Sequence, residues 1–276
     1  MYVQPADAPK RKPVTVPGLR AMKARGDRIV VLTCYDASFA AQLEAVGVDV
    51  ALVGDSLGNV VQGQNSTVPV TLDQMVYHTS LVARGLKATL LVADLPFMQY
   101  RDPATALAAS ARLMAEGGAA MVKLEGGSDW TCEVITALTS RDIPVCAHLG
   151  LTPQSVHKMG GYRMQGKSGD AAARLRDQAR AVVAAGSELL VLESIPATLA
   201  GEISRELPIP TIGIGAGAEC DGQVLVCYDM LGITPGHRPK FSKDFLAGRG
   251  SVRDAIAAYA DDVRAGRFPG PEQIAG

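Results

Sequence analysis

The chain of 276 residues has no apolar stretch approaching the ~18 residues needed to cross a bilayer, so no membrane span is expected. It has no surplus of either charge. Lys and Arg number 27 against 28 Asp and Glu, a net charge of −1. No strong global field therefore draws it to nucleic acid or an anionic lipid surface, and a small-molecule partner is the expectation. Its five cysteines, Cys34, Cys132, Cys146, Cys220 and Cys227, form no CxxC pair or other zinc spacing. Three of them (Cys34, Cys146, Cys227) fall in apolar strand-like runs, which reads as buried, reduced thiols in a cytoplasmic protein. The N-terminal MYVQPADAPKRKPVTVPG has four prolines and basic residues but no apolar segment behind them. It reads as a flexible arm rather than a signal peptide. No composition break divides the chain, and no low-complexity segment occurs beyond that arm.

What is present is a regular alternation. With 47% apolar and 20% charged residues the chain is globular, and long enough to bury a full core. Apolar, β-rich runs occur at 28–34, 50–54, 88–94, 119–126, 143–150, 187–194, 209–217 and 222–232. Helical patterns lie between them. Asp36 and Gly47 bracket a helix as N-cap and stop signal, and Thr71 and Gln74 have capping-box spacing ahead of a helix near 71–86. Further helices are expected at about 103–116, 129–140, 170–185 and 197–206, and a last one within 241–265. Eight runs alternating with helices predict a (β/α)8 TIM barrel. The runs are almost wholly apolar, as parallel strands covered on both faces should be. The alternative, an open doubly wound sheet, usually carries a glycine fingerprint after its first strand, and TCYDAS has none. The expected organisation is an arm at 1–17, a single barrel domain at 18–265 and a tail at 266–276.

Several of these apolar runs stop on an acid. VALVGDSLG ends on Asp55, LLVADLPF on Asp94 and LLVLESIP on Glu193. In such a barrel the active site lies at the carboxyl ends of the strands. Asp55 and Ser56, Asp94, Lys123 and Glu125, His148 and Glu193 would then converge from five successive strands. Buried carboxylates are costly unless paired or bound to a cation, and Lys123 alone does not neutralise four of them. A hard divalent cation would. Oxygen ligands favour Mg2+ over Zn2+, with Asp55 and Asp94 as direct ligands and Glu125 as an outer or water-mediated one. Each residue also has a purely structural reading. A strand-end acid can cap a helix, Lys123 can be the counter-ion of Glu125, and His148 can be a core histidine. Glu193 can pair with Lys158, Arg163 or Lys167.

The segments TCYDASFA, VGDSLGNVVQGQNSTVPVTLDQMVYHT, ADLPFMQY, VKLEGG, AHLGLTPQSVHKMGGYRMQG, LESIP, TIGIGAG and DGQVLVCYDMLG resemble the ketopantoate hydroxymethyltransferase family. The likeness runs from about residue 13 to 245. It implies a Mg2+-dependent barrel of the phosphoenolpyruvate/pyruvate superfamily. The implied reaction moves a one-carbon unit from 5,10-methylenetetrahydrofolate to 3-methyl-2-oxobutanoate, giving ketopantoate for pantothenate and coenzyme A. By the same resemblance Asp55, Asp94 and Glu125 serve the metal, and Asp55, Ser56, Asp94 and Lys123 contact the keto acid. Glu193 is the proton acceptor, and the assembly is a homodecamer. His148 is expected to orient the substrate or Lys123. Other readings are a lyase of the same superfamily, whose KKCGH-like cysteine loop this chain lacks, a Schiff-base aldolase using Lys123, and a non-catalytic barrel.

Overall fold

The computed structural model describes residues 11–236 and 238–274. The first ten residues of the expected arm and the last two of the expected tail lie outside them. Eight strands, β1 (Ile29–Thr33), β2 (Val50–Val53), β3 (Leu90–Asp94), β4 (Met121–Glu125), β5 (Val145–Gly150), β6 (Leu189–Glu193), β7 (Thr211–Ile214) and β8 (Gly222–Leu225), pair in chain order. All pairs are parallel, and β1 pairs with β8 to close the barrel. Closure excludes the open doubly wound sheet.

Helices connect the strands, and the sequence signals account for their ends. α1 (Val16–Arg25) precedes β1, and α2 (Ala37–Val46) follows it. Asp36 caps α2 by accepting from the Phe39 N–H, and Gly47 ends it in the left-handed conformation. The short α3 (Leu57–Val60) and then α4 (Leu72–Gly85) join β2 to β3, and α4 starts on the complete Thr71–Gln74 capping box. α5 (Pro103–Ala115) and α6 (Asp129–Thr139) follow β3 and β4. The one-turn α7 (Val156–Met159) and α8 (Gly169–Ala184) follow β5. α9 (Ala197–Glu206), α10 (Cys227–Met230) and α11 (Val252–Arg264) complete the set. None of the helices among the described residues is long and apolar enough to cross a membrane.

Two apolar layers hold the barrel. Inside it, alternate residues such as Val31, Leu52, Val92, Val191 and Val224 fill the lumen, and Leu19 of α1 joins them from the amino-terminal end. Outside it, residues such as Ala40, Met75, Leu113, Ile135 and Ile203 form the layer between strands and helices. Tyr259 of α11 clasps the closure. Its hydroxyl lies 2.9 Å from the carbonyls of Val31 on β1 and Gln223 on β8.

Two segments differ from the sequence expectation. The apolar run 222–232 is not one strand. β8 ends at Leu225, opposite Leu32 of β1, and the Cys227 N–H turns to the Thr33 hydroxyl at 2.9 Å as α10 begins. Cys227 is therefore helical, and the run is apolar because α10 is buried too. Within the expected arm, Thr15 caps α1 and Arg11 donates to the Gly47 and Val48 carbonyls at 2.7 Å. The five cysteines are free thiols, four of them buried and Cys132 half-buried.

Candidate active site

The period of two that packs the lumen continues to the strand ends and there changes chemistry. Above Val92 comes Asp94, above Met121 come Lys123 and Glu125, above Cys146 comes His148, and above Val191 comes Glu193. Register then makes neighbours of them, for Asp94 lies opposite Lys123 and Glu125 opposite His148. Asp55 and Ser56 enter from the turn after β2. A Cβ on Gly54 would stand 2.7 Å from the Ser56 hydroxyl, so glycine lets that turn fold over the mouth. Asp55, Asp94, Lys123, Glu125 and His148 are each 5% exposed or less. With Ser56 and Glu193 they line one cavity of about 590 Å³. The structure thus brings together every site residue expected from the sequence.

The contacts divide the roles. Lys123 Nζ donates to Asp94 Oδ1 at 2.6 Å, so its partner is Asp94 rather than the Glu125 of the structural reading. Asp94 Oδ2 accepts the Asp55 backbone N–H at 3.1 Å. The His148 ring lies between two acids, Nδ1 3.4 Å from Glu125 and Nε2 3.1 Å from Glu193. Neither ring nitrogen completes a well-aligned hydrogen bond among the described residues. His148 is thus the partner Glu193 has, in place of Lys158, Arg163 or Lys167. Ser56 Oγ shares a 2.8 Å hydrogen bond with the Tyr35 hydroxyl. The short α3 follows Asp55, but the Asp55 carboxylate does not cap it. Asp55 Oδ2 accepts instead from Gln154 Nε2 at 2.7 Å.

Gln154 is the residue that sequence reasoning missed. It is buried, and it also donates its backbone N–H to Glu125 Oε2 at 3.0 Å and its amide to the Leu95 carbonyl. Its own oxygen accepts from the Tyr100 hydroxyl at 2.6 Å. One neutral residue therefore fixes two of the acids, Asp55 through its side-chain amide and Glu125 through its backbone N–H. It lies within the motif LTPQSVHK, but a neutral amide has no titration or ligand signature to single it out.

Behind Glu193 the backbone is tightly specified. Gly150 has φ +94°, and a Cβ there would come 2.2 Å from the Glu193 carbonyl oxygen. Ser194 takes a φ of +47°, rare for a residue with a side chain. The Ser194 N–H donates to Ile214 and its carbonyl accepts from Gln165, both at 2.9 Å. The strand end carrying Glu193 is held from three sides.

Electrostatics follow from burial and surplus charge. Burial, then Asp94 and Glu125, push the Asp55 carboxyl well above its usual range, against the pull of Lys123 and Gln154. Burial disfavours the Lys123 ammonium, but Asp94, Glu125 and Asp55 outweigh it and raise its pKa. Burial and Lys123 likewise oppose the His148 imidazolium, while Glu125 and Glu193 prevail and lift it to about 9.

The ketopantoate hydroxymethyltransferase family matches residues 13–271. The chain is 58% identical over 262 residues to the 3-methyl-2-oxobutanoate hydroxymethyltransferase of Ralstonia nicotianae, covering 95% of each chain. It is 56% identical over 271 residues to that of Burkholderia thailandensis, covering 98% of each. The chain belongs to the ketopantoate hydroxymethyltransferase family. Solved structures share the fold of this family member. A 2,3-dimethylmalate lyase, a PEP mutase/isocitrate lyase superfamily member, superposes with a TM-score of 0.58 at 18% identity, over 79% of this chain and 80% of the other. A phosphonopyruvate hydrolase solved with oxalate and Mg2+ gives a TM-score of 0.59 at 13% identity, over 90% and 95%.

The donor set can be tested against a cation. Among the described residues no three His, Cys, Asp or Glu side chains form a metal-ligating group. Glu125 is turned to His148 and the Gln154 N–H, which separates it from a cage with Asp55 and Asp94. Mg2+ does not need such a cage, because it commonly takes one or two carboxylates and fills its other positions with water and substrate. Asp55 and Asp94 suit that demand. Were all four carboxylates ionised, Lys123 and a protonated His148 would leave two negative charges uncompensated in a buried site. In this ketopantoate hydroxymethyltransferase family member a raised Lys123 also argues against the Schiff-base reading, since an amine nucleophile must be deprotonated.

Proposed function

We propose that this chain transfers a hydroxymethyl group from 5,10-methylenetetrahydrofolate to 3-methyl-2-oxobutanoate, giving ketopantoate for pantothenate and coenzyme A, with Mg2+ as cofactor. The observation that carries the reading is the surplus of buried carboxylates around Lys123 at the barrel mouth, in a chain of this family. Cytoplasmic location and a homodecameric assembly belong to the same proposal, on the family resemblance.

Asp55 and Asp94 would hold Mg2+, with Glu125 behind them, and the bound ion supplies Lewis-acid stabilisation of charge developing on the keto oxygen. The rest falls to the chain's own groups. Lys123, kept cationic by its acidic neighbours, faces the substrate's carboxylate or enolate oxygen. Ser56, whose hydroxyl is oriented by Tyr35, donates to the substrate carboxylate. Glu193 removes the proton at C3, a tertiary and weakly acidic carbon. General-base catalysis by a carboxylate needs a group that is positioned and free to accept. The clamp of Gly150 and Ser194 provides the positioning. His148 bridges Glu193 to Glu125 and so holds the base in register with the acid cluster. The carbanion then adds to the folate methylene, forming the new C–C bond, and the N–CH2 bond breaks. One water is consumed overall, its hydroxyl ending on the transferred carbon.

The first test is to incubate the protein with 3-methyl-2-oxobutanoate in heavy water and follow the C3 proton by NMR, with Mg2+ and with a chelator. Mg2+-dependent loss of that signal is expected, and product formation on adding the folate. A signal that persists both without and with folate, while metal is bound, would overturn the reading.

A further inference from the structure

The cavity of about 590 Å³ is within the size range of sites for drug-sized ligands, far more than a five-carbon keto acid fills. Its walls differ. The acid cluster comes from β2 to β6. Across the mouth, the wall built by β8 and the segment after it is largely apolar, with Val224, Val226 and Phe241. Asp229 is set into this wall. It stands on α10, is 6% exposed and lines the cavity, yet it takes no part in the chemistry assigned above. Among the described residues its carboxylate accepts one side-chain hydrogen bond, from the Thr234 hydroxyl to Oδ1 at 2.5 Å. The charges it feels are not those of the acid cluster. Burial raises its pKa, while Thr234 and then Arg238 lower it. It is a separate polar point on the far wall.

A carboxylate that lines a cavity and accepts from one side-chain donor among the described residues has acceptor capacity left for a ligand. A ligand that is flat and carries two adjacent N–H groups on one edge would suit both the wall and the acid. Such a pair meets a carboxylate through two parallel hydrogen bonds, the strong bidentate arrangement. Reduced folate has that edge in the N3–H and 2-amino group of its pterin.

We propose that Asp229 is the pterin-recognition residue of this site, accepting N3–H and the 2-amino group while the ring lies against Val226 and Phe241. The proposal rests on the folate-donor reading above. It places the two substrates on opposite walls, the keto acid against the acid cluster and the pterin against β8, with the transferred carbon between them.

The test compares tetrahydrofolate with its 2-desamino analogue, by calorimetry on the Mg2+-loaded protein with keto acid present. For the unmodified protein, loss of the 2-amino group is expected to weaken binding by about 10- to 150-fold, the value of a hydrogen bond to a charged group. Asp229→Asn should weaken tetrahydrofolate by a similar factor and no longer discriminate the analogue, because the two changes remove one interaction. Its KM for folate should rise while its KM for keto acid stays within about threefold, a split that general damage to the fold would not produce. Equal binding of the two compounds by the unmodified protein overturns the proposal, even if the variant does not fold. So does an Asp229→Asn protein that still discriminates them. A protein that exchanges the C3 proton but does not bind tetrahydrofolate at all would instead refute the folate reading itself.

Discussion

At the floor of the barrel each acid has donors of its own; at the mouth four acids share two cationic groups. Asp221, just before β8, accepts from Lys23 Nζ at 2.7 Å and from the Thr211 N–H and hydroxyl at 2.8 and 3.0 Å. Asp49, just before β2, accepts the Val30 N–H at 3.0 Å and meets Arg11 at 3.3 Å and Arg264 at 3.8 Å. The mouth has Asp55, Asp94, Glu125 and Glu193 around Lys123 and His148. Burial alone does not separate the two ends. What separates them is whether the protein itself supplies the opposite charge. An end that is satisfied internally contributes stability, and an end that is not has affinity to spare for a cation and an anionic substrate.

The largest effect should come from Glu193→Gln. The substitution keeps the shape and removes the proposed base. C3 proton exchange should fall by about 10² to 10⁴-fold, while Mg2+ and keto-acid binding by calorimetry stay close to the starting values. Normal exchange in that variant would remove Glu193 from the role.

Asp55→Asn sets function against stability. Mg2+ affinity should drop about 100-fold or more, beyond the loss typical of an outer-sphere partner. The metal-free variant should nevertheless melt higher than the metal-free parent, by on the order of 2–4 °C, because one uncompensated buried charge is gone. The pH dependence has a defined sign. The Asp55 pKa in the folded state lies above its unfolded value of about 3.9. The native state therefore binds more protons across the window from about pH 4 up to that raised pKa, and stability falls as pH rises through it. The variant should lack this slope. Parallel melting curves for the two chelated proteins between pH 4.5 and 8 would refute the account.

Gln154→Met probes the neutral brace. It leaves every charge in place, and the backbone N–H that holds Glu125, but removes the amide that holds Asp55, and outer-sphere changes of this kind cost about 10- to 100-fold in metal affinity. Metal titration monitored by calorimetry checks it, and an unaltered affinity would show that Asp55 holds its position unaided.

The smallest effect on chemistry is expected at the floor. Asp221→Asn should cost about 1–3 kcal/mol of stability, since Lys23 is left half-buried without its partner. C3 exchange and Mg2+ affinity should not change. Denaturant unfolding alongside the NMR assay tests both halves, and a matching loss of exchange would erase the distinction between the two ends.

Much of the fold was legible along the chain because its signals are local. The Asp36 cap, the Thr71–Gln74 box and the apolar runs all act over a few residues, and the helices start where those signals place them. The exceptions are instructive. The run 222–232 reads as one strand, but an apolar run does not reveal whether burial is in a sheet or in a helix, and here it is both. At the site, acids at strand ends were conspicuous because a buried charge is expensive anywhere. Gln154 and Asp229 were not, since an amide and an acid in a helical turn are ordinary until their surroundings are known.

Composition and alternation by themselves determined a parallel eight-stranded α/β chain with charges at its strand ends, because helix caps and strand burial depend on near neighbours. Tertiary structure alone decided the pairings. Closure of β1 on β8 and the register of β3 with β4 and β4 with β5 set Lys123 against Asp94 and His148 beside Glu125. The loop after β5 carries Gln154 back to Asp55, 99 residues away in sequence. Contacts across such separations depend on where strands end in three dimensions, and no local preference encodes that.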